Sequence, residues 1–234
     1  MRKLSRRSFV EQAVVGAAAL GAAAGRVDAQ LVYKSSDWKF AEFNRLLKDT
    51  SRVKQVFDEI QIGDGRFLNN MKNALNGFRF GFDIPAEQVK IVGALHGPAN
   101  MMNFDDYVWQ KYRIGEWLKV NEPKTSQPAV RNVFYPAKST QPHSPSEDPS
   151  DETSSYQDGS IQTLQSRGVQ FLCCHTATEE QARVLIKQYG LTQQPEEIVK
   201  DVLAHLHPGV LVVPAMVSAI ALLQSEGHFS YVTI

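Results

Sequence analysis

The sequence predicts an α/β fold, a mostly parallel β-sheet with helices on both faces. Strand-like and helix-like segments alternate along the chain, the pattern of successive β-α-β units. Two of the strand-like runs, residues 89–95 and 169–174, are almost continuously apolar, as strands covered on both faces are. Glycine- and proline-marked breaks bound most segments, and no internal repeat is visible.

The first 29 residues read as a leader. Ser5-Arg6-Arg7-Ser8-Phe9-Val10 is a twin-arginine signature, and Val27-Asp28-Ala29 supplies small residues for cleavage before Gln30. Between them, residues 13–25 form a weakly hydrophobic run without a polar face; its 13 residues fall short of the roughly 20 a spanning helix needs. The expectation is twin-arginine export to the periplasm as a folded protein. The competing reading is an Ala-rich buried helix.

Residues 30–234 are then expected to form a single domain, long enough to bury a real core. The whole chain carries 25 basic and 25 acidic residues; without the leader the balance is 20 to 23, a net charge of −3. That gives no electrostatic footprint for nucleic acid, and no later stretch is long and apolar enough to span a membrane.

Ser36 or Asp37 caps a helix whose Phe40, Phe43, Leu46 and Leu47 recur at helical spacing, an arm on the domain or on a neighbouring subunit. Residues 53–60 fit a helix stripe too, but β-branched content and the break at Gly63-Asp64-Gly65 favour a first strand. Phe67, Leu68, Met71, Ala74 and Leu75 predict an amphipathic helix that ends at Gly77. Pro85 opens a turn before the strand at 89–95, which runs into the loop His96-Gly97-Pro98-Ala99-Asn100. A helix from about Asp105 carries Tyr107, Trp109, Tyr112, Ile114 and Trp117, aromatics that read as core or subunit contacts rather than a cofactor box. Residues 136–158 are polar and acidic and read as a mobile surface insertion; residues 128–135, just before it, read as an ordered loop.

The central stretch, residues 168–180, holds the only two cysteines, Cys173 and Cys174, in a short strand that turns into a helix. Thr176 with Glu179, and Thr178 with Gln181, match the capping box. A thiol at that junction faces unpaired backbone N–H groups and the positive end of the helix dipole, so a lowered pKa and a reactive thiolate are expected. Strand ends are also where ligands bind in open α/β sheets. Adjacent cysteines bridge only through a strained ring, so a structural disulfide is not expected. Beyond this stretch come a helix ended by Gly190, a helix at 196–206, a strand at 210–213, a small-residue helix at 215–225 and a final strand from Phe229.

Three motifs bear on family. Gly168-Val169-x-Phe171-x-x-Cys174 before a helix resembles the cysteine strand of the DsrE/DsrF-like sulfur-relay family. Leu223-Gln224-x-x-Gly227-x-x-x-Tyr231-Val232 resembles its closing helix and strand, and Val92-Gly93-Ala94-Leu95-His96-Gly97 resembles the second strand of its exported branch. The resemblance implies a three-layer α/β/α sandwich of about five strands. It also implies sulfur carriage as a persulfide on Cys174, homo- or hetero-oligomers, and a sulfur donor or acceptor as partner.

Cys174 is expected to be a thiolate nucleophile or persulfide carrier, with His175 or His96 as its proton partner; the alternative is a small buried hydrophobe. Cys173 is the second candidate and points to the opposite face of the strand. His96 could equally be a loop residue bonded to backbone. His205 and His207 with His228 are weak metal ligands, and no metal or cofactor is expected. Asn100, Arg131 and Asn132 are polar loop residues that could line a pocket. Gly63-Asp64-Gly65 lacks what a phosphate loop needs. The function classes are a periplasmic sulfur carrier or thiol-redox protein, a non-catalytic oligomeric module for a small ligand, and an oxidoreductase loaded with cofactor before export.

Overall fold

A computed structural model describes residues 33–138 and 142–233. The twin-arginine leader and its cleavage point lie outside the described residues. Five strands form one sheet: β1 Val53–Glu59, β2 Val89–Leu95, β3 Gln170–Cys174, β4 Leu211–Val213 and β5 Ser230–Thr233. All neighbours pair in parallel, in the order β4-β3-β2-β1-β5. This is the expected α/β class. The chain builds β1 to β4 outward in one direction and then places β5 on the other side of β1, so the order reverses between β1 and β5. Such a switch point opens a crevice at the strands' carboxyl ends.

The helices are α1 Phe40–Leu47, α2 Arg66–Asn76, α3 Asp106–Lys111, α4 Ile114–Leu118, α5 Ile161–Ser166, α6 His175–Tyr189, α7 Pro195–Leu203 and α8 Met216–Ser225. Each side of the sheet has its own core, because successive strand residues face opposite sides. On one side Phe57, Ile91, Leu95, Phe171 and Cys173 pack with Met71 of α2, Trp109 of α3, Leu164 of α5, Leu185 of α6 and Val202 of α7. On the other, Val56, Val92, Ala94, Leu172 and Cys174 pack with Phe43 of α1 and Met216, Ile220 and Leu223 of α8. Gly93 lies in register with both Phe57 and Phe171. A Cβ there would stand 2.7 Å from the Phe171 ring, so the strand needs glycine where that ring crosses it.

Several local expectations need correction. The helix over 67–75 does not stop at Gly77. That residue has φ −59, not the left-handed cap, and the chain continues in a π-turn over Gly77–Gly81. The single aromatic helix is two short ones, α3 and α4, broken where Arg113 takes φ 53. Helix α5 was not expected at all; at six residues it is too short to show periodicity, and only its Ser160 cap marks it. The helix after the cysteines starts at His175, directly after Cys174 and ahead of both capping boxes. The described parts of the acidic insertion, 136–138 and 142–158, are irregular. Asp158 holds its base, accepting from Ser160 N, Lys138 N and Thr163 Oγ1 and contacting His143 Nε2. Among the described residues no helix is long and apolar enough to cross a membrane.

Candidate functional site

Cys174 closes β3 and is itself the N-cap of α6: its Sγ accepts Ala177 N–H at 3.4 Å. The capping boxes expected at Thr176 and Thr178 are therefore not the cap. The same sulfur accepts a second N–H, from Met216 at 3.3 Å, the first residue of α8. One sulfur thus sits between the amino ends of two helices, where peptide dipoles and unpaired donors favour a negative charge.

Burial works against those donors and wins. Cys174 is 4% exposed, and desolvation lifts its thiol pKa above the ordinary value although the Ala177, Met216 and Thr176 N–H groups pull it down. The expected low-pKa thiolate is corrected: the sulfur lies in a core shared with α1 and α8, elements far away in sequence. Cys173 lies on the other face, fully buried, and burial pushes its thiol up further still, with a weak contact to Thr178 Oγ1 at 3.8 Å. Both are free thiols. Since the folded thiols stay protonated where unfolded ones ionise, stability is expected to decline as pH rises past about 8.5. The decline in urea midpoint should be shallower in Cys173→Ala than in the unchanged protein.

Asn100 fixes the junction. Its Oδ1 accepts Cys174 N–H at 2.9 Å, and its Nδ2 donates to Thr178 Oγ1 at 2.9 Å and to the Cys174 carbonyl at 3.4 Å. Gln181 Nε2 donates to the Gly97 carbonyl, tying α6 to the same loop. Asn100 is fully buried and is a clamp rather than a pocket residue. Asn132 is likewise internal: its Nδ2 donates to the Met102 and Phe104 carbonyls and faces His207 Nε2 at 3.0 Å. Arg131 pairs with Glu122 at 2.9 Å.

Neither expected histidine partner hydrogen-bonds to a thiol. His175 stacks on Tyr33 with ring centroids 4.2 Å apart; its Nδ1 is buried without a hydrogen-bond partner among the described residues, and burial lowers its pKa. His96 instead places Nε2 2.7 Å from Asp58 Oδ1, while Tyr231 donates its hydroxyl to Asp58 Oδ2 at 2.6 Å. Burial raises the Asp58 pKa, but these two partners outweigh it and hold the carboxyl below its usual value. Asp58 and His96 stand at the carboxyl ends of β1 and β2, and Tyr231, the second residue of β5, extends its hydroxyl to them at the switch point. Leu95 pairs with Cys173, so the residues that follow them, His96 and Cys174, fall on one face of neighbouring strands. Asp58 and Tyr231 were missed in the sequence. The Asp-Glu ending of β1 is a faint signal, and pairing with a residue 173 positions away leaves none.

The histidines at 205 and 207 do not converge. His205 Nδ1 lies 3.0 Å from Asp105 Oδ2, and His207 stacks on Tyr135. Among the described residues no group of three His, Cys, Asp or Glu side chains is arranged to hold a metal ion. Comparison with known proteins found no matching family model, no matching curated protein and no matching solved structure.

Proposed function

We propose that the chain is a DsrE/DsrF-like protein that carries sulfur on Cys174 as a persulfide, outside the cytoplasm after twin-arginine export, as an oligomer. The observation that carries this reading is the seat of the Cys174 sulfur between two helix amino ends. In the step, the Cys174 thiolate attacks the outer sulfur of a donor persulfide. The new S–S bond forms as the donor's own S–S bond breaks, and the electron pair leaves on the donor thiolate. With thiosulfate as donor the leaving group is sulfite. No external oxidant is required. Burial slows attack by a raised-pKa thiol, but it shields the product from water, and the backbone N–H groups favour the persulfide anion. That combination suits storage and hand-over better than rapid turnover. The Asp58-oriented His96 on the same face supplies a base for the thiol proton once a donor is docked.

Intact mass after incubation with thiosulfate or a small persulfide tests this. One added sulfur, about 32 Da, is expected on the unchanged protein and on Cys173→Ser, and none on Cys174→Ser. An adduct that persists in Cys174→Ser contradicts the assignment. The deep burial of both thiols favours a second reading, a non-catalytic module in which they only fill the core. That reading gains if no variant takes up sulfur.

A further inference from the structure

At the amino end of the sheet, opposite the thiol, lies a cavity of about 280 Å³. Leu75, Ile84, Ala86 and Val89 give it an apolar wall, and Arg167, Arg79, Glu147 and Tyr156 give it a polar side. Arg167 precedes β3. Its Nη2 donates to Asn76 Oδ1 at 2.7 Å and its guanidinium lies 5.2 Å from the Tyr156 ring, but its Nη1 is buried with no hydrogen-bond partner. Among the described residues no carboxylate pairs with Arg167. Glu147 at the same cavity is committed to Arg79 at 2.9 Å and to the Tyr156 hydroxyl at 3.0 Å. Asp158, the other acid in this region, is already held by Ser160, Lys138, Thr163 and His143. Burial pushes the Arg167 pKa down to about 10. Burial and the neighbouring Lys138 and Arg167 lower that of Lys72. A half-buried cation without a counter-charge is costly, and a guanidinium fork matches a carboxylate.

We infer that this cavity binds a small organic carboxylate, with its apolar body against Leu75, Ile84 and Val89 and its carboxylate on Arg167. Tyr156, from the acidic insertion, is the cover that moves aside to admit it. The assignment is independent of the chemistry at Cys174, and its test does not involve a thiol.

The probes are benzoate and hexanoate, with benzyl alcohol as the uncharged control, titrated by calorimetry into the full chain. Benzoate or hexanoate is expected to bind with Kd below about 1 mM, and benzyl alcohol not to saturate. Arg167→Met, which replaces the half-buried charge by an apolar chain of similar length, should weaken binding at least tenfold. Glu147→Gln, which removes a competing negative charge, should tighten it several-fold. If Arg167→Met fails to fold, Ile84→Trp fills the cavity without touching the charge and should abolish binding. No saturable binding to the unchanged protein, or unchanged affinity in Arg167→Met or Ile84→Trp, would overturn the inference.

Discussion

Asn100→Ala is expected to cost about 3 to 5 kcal/mol of folding stability, because it strands several buried groups together. Cys174 N–H loses its acceptor at 2.9 Å, and Asn103 Nδ2 loses the Asn100 oxygen at 3.4 Å. Gln181 loses a donor at 3.3 Å; Thr178 loses one at 2.9 Å but still donates to the Cys174 carbonyl. An orphaned buried group costs about 1 to 3 kcal/mol, and Asn100 is fully enclosed. The same change frees the β3–α6 turn, so alkylation of Cys174 in the folded protein should accelerate. Urea unfolding gives the first quantity and timed alkylation the second. A loss below about 1 kcal/mol, with unchanged alkylation, would mean the clamp is not needed to fix the turn.

The second large effect is acid sensitivity through His207. Its ring is buried, stacked on Tyr135 at 3.4 Å between centroids, with Nε2 3.0 Å from the Asn132 amide nitrogen. Both hydrogens of that amide go to the Met102 and Phe104 carbonyls, so an imidazolium gains no acceptor from Asn132. Burial lowers the His207 pKa to about 4, although Asp105 and Asp106 pull the other way. The folded state therefore keeps His207 neutral while the unfolded chain takes up a proton near pH 6.5. Stability from this residue is complete above about pH 6.5 and drains away as pH falls toward 4. The loss amounts to about 3 kcal/mol at 1.36 kcal/mol per pKa unit. Carboxylates titrate in the same window, so the informative quantity is the difference between the unchanged protein and His207→Gln. The variant should be less stable at pH 7 and show a flatter decline from pH 6.5 to 4.5. Parallel declines would assign the acid sensitivity elsewhere.

Much of the frame was legible because the sheet is buried on both faces. Runs such as Val89–Leu95 carry their assignment in composition alone, and the helices at Phe40 and Phe67 show their stripes. What failed was local and had tertiary causes. Gly77 looks like a helix stop, yet nothing in its flanks reveals that the chain would tighten into a π-turn. Arg113 takes a left-handed conformation that no sequence rule assigns to arginine. At the site, strand-end placement and opposed faces for Cys173 and Cys174 were readable from a period of two. The direction of the thiol pKa was not. The helix dipole is legible in the residues next to Cys174, whereas Met216 and Phe43, which share its buried core, are 42 and 131 positions away. The clamp at Asn100 and the Asp58–His96–Tyr231 trio were hidden for the same reason: each joins segments whose proximity exists only in the folded sheet.

The central claim is that Cys174, in its seat between α6 and α8, is the reactive sulfur of this protein. Site-resolved alkylation of the folded protein across pH tests it most directly, with each cysteine followed by peptide mass. Cys174 is expected to label first, slowly at pH 7 and faster as pH climbs beyond the ordinary thiol range, while Cys173 stays unlabelled until the protein unfolds. Labelling of Cys173 at an equal or greater rate, or inertness of both thiols at every pH short of unfolding, would contradict it.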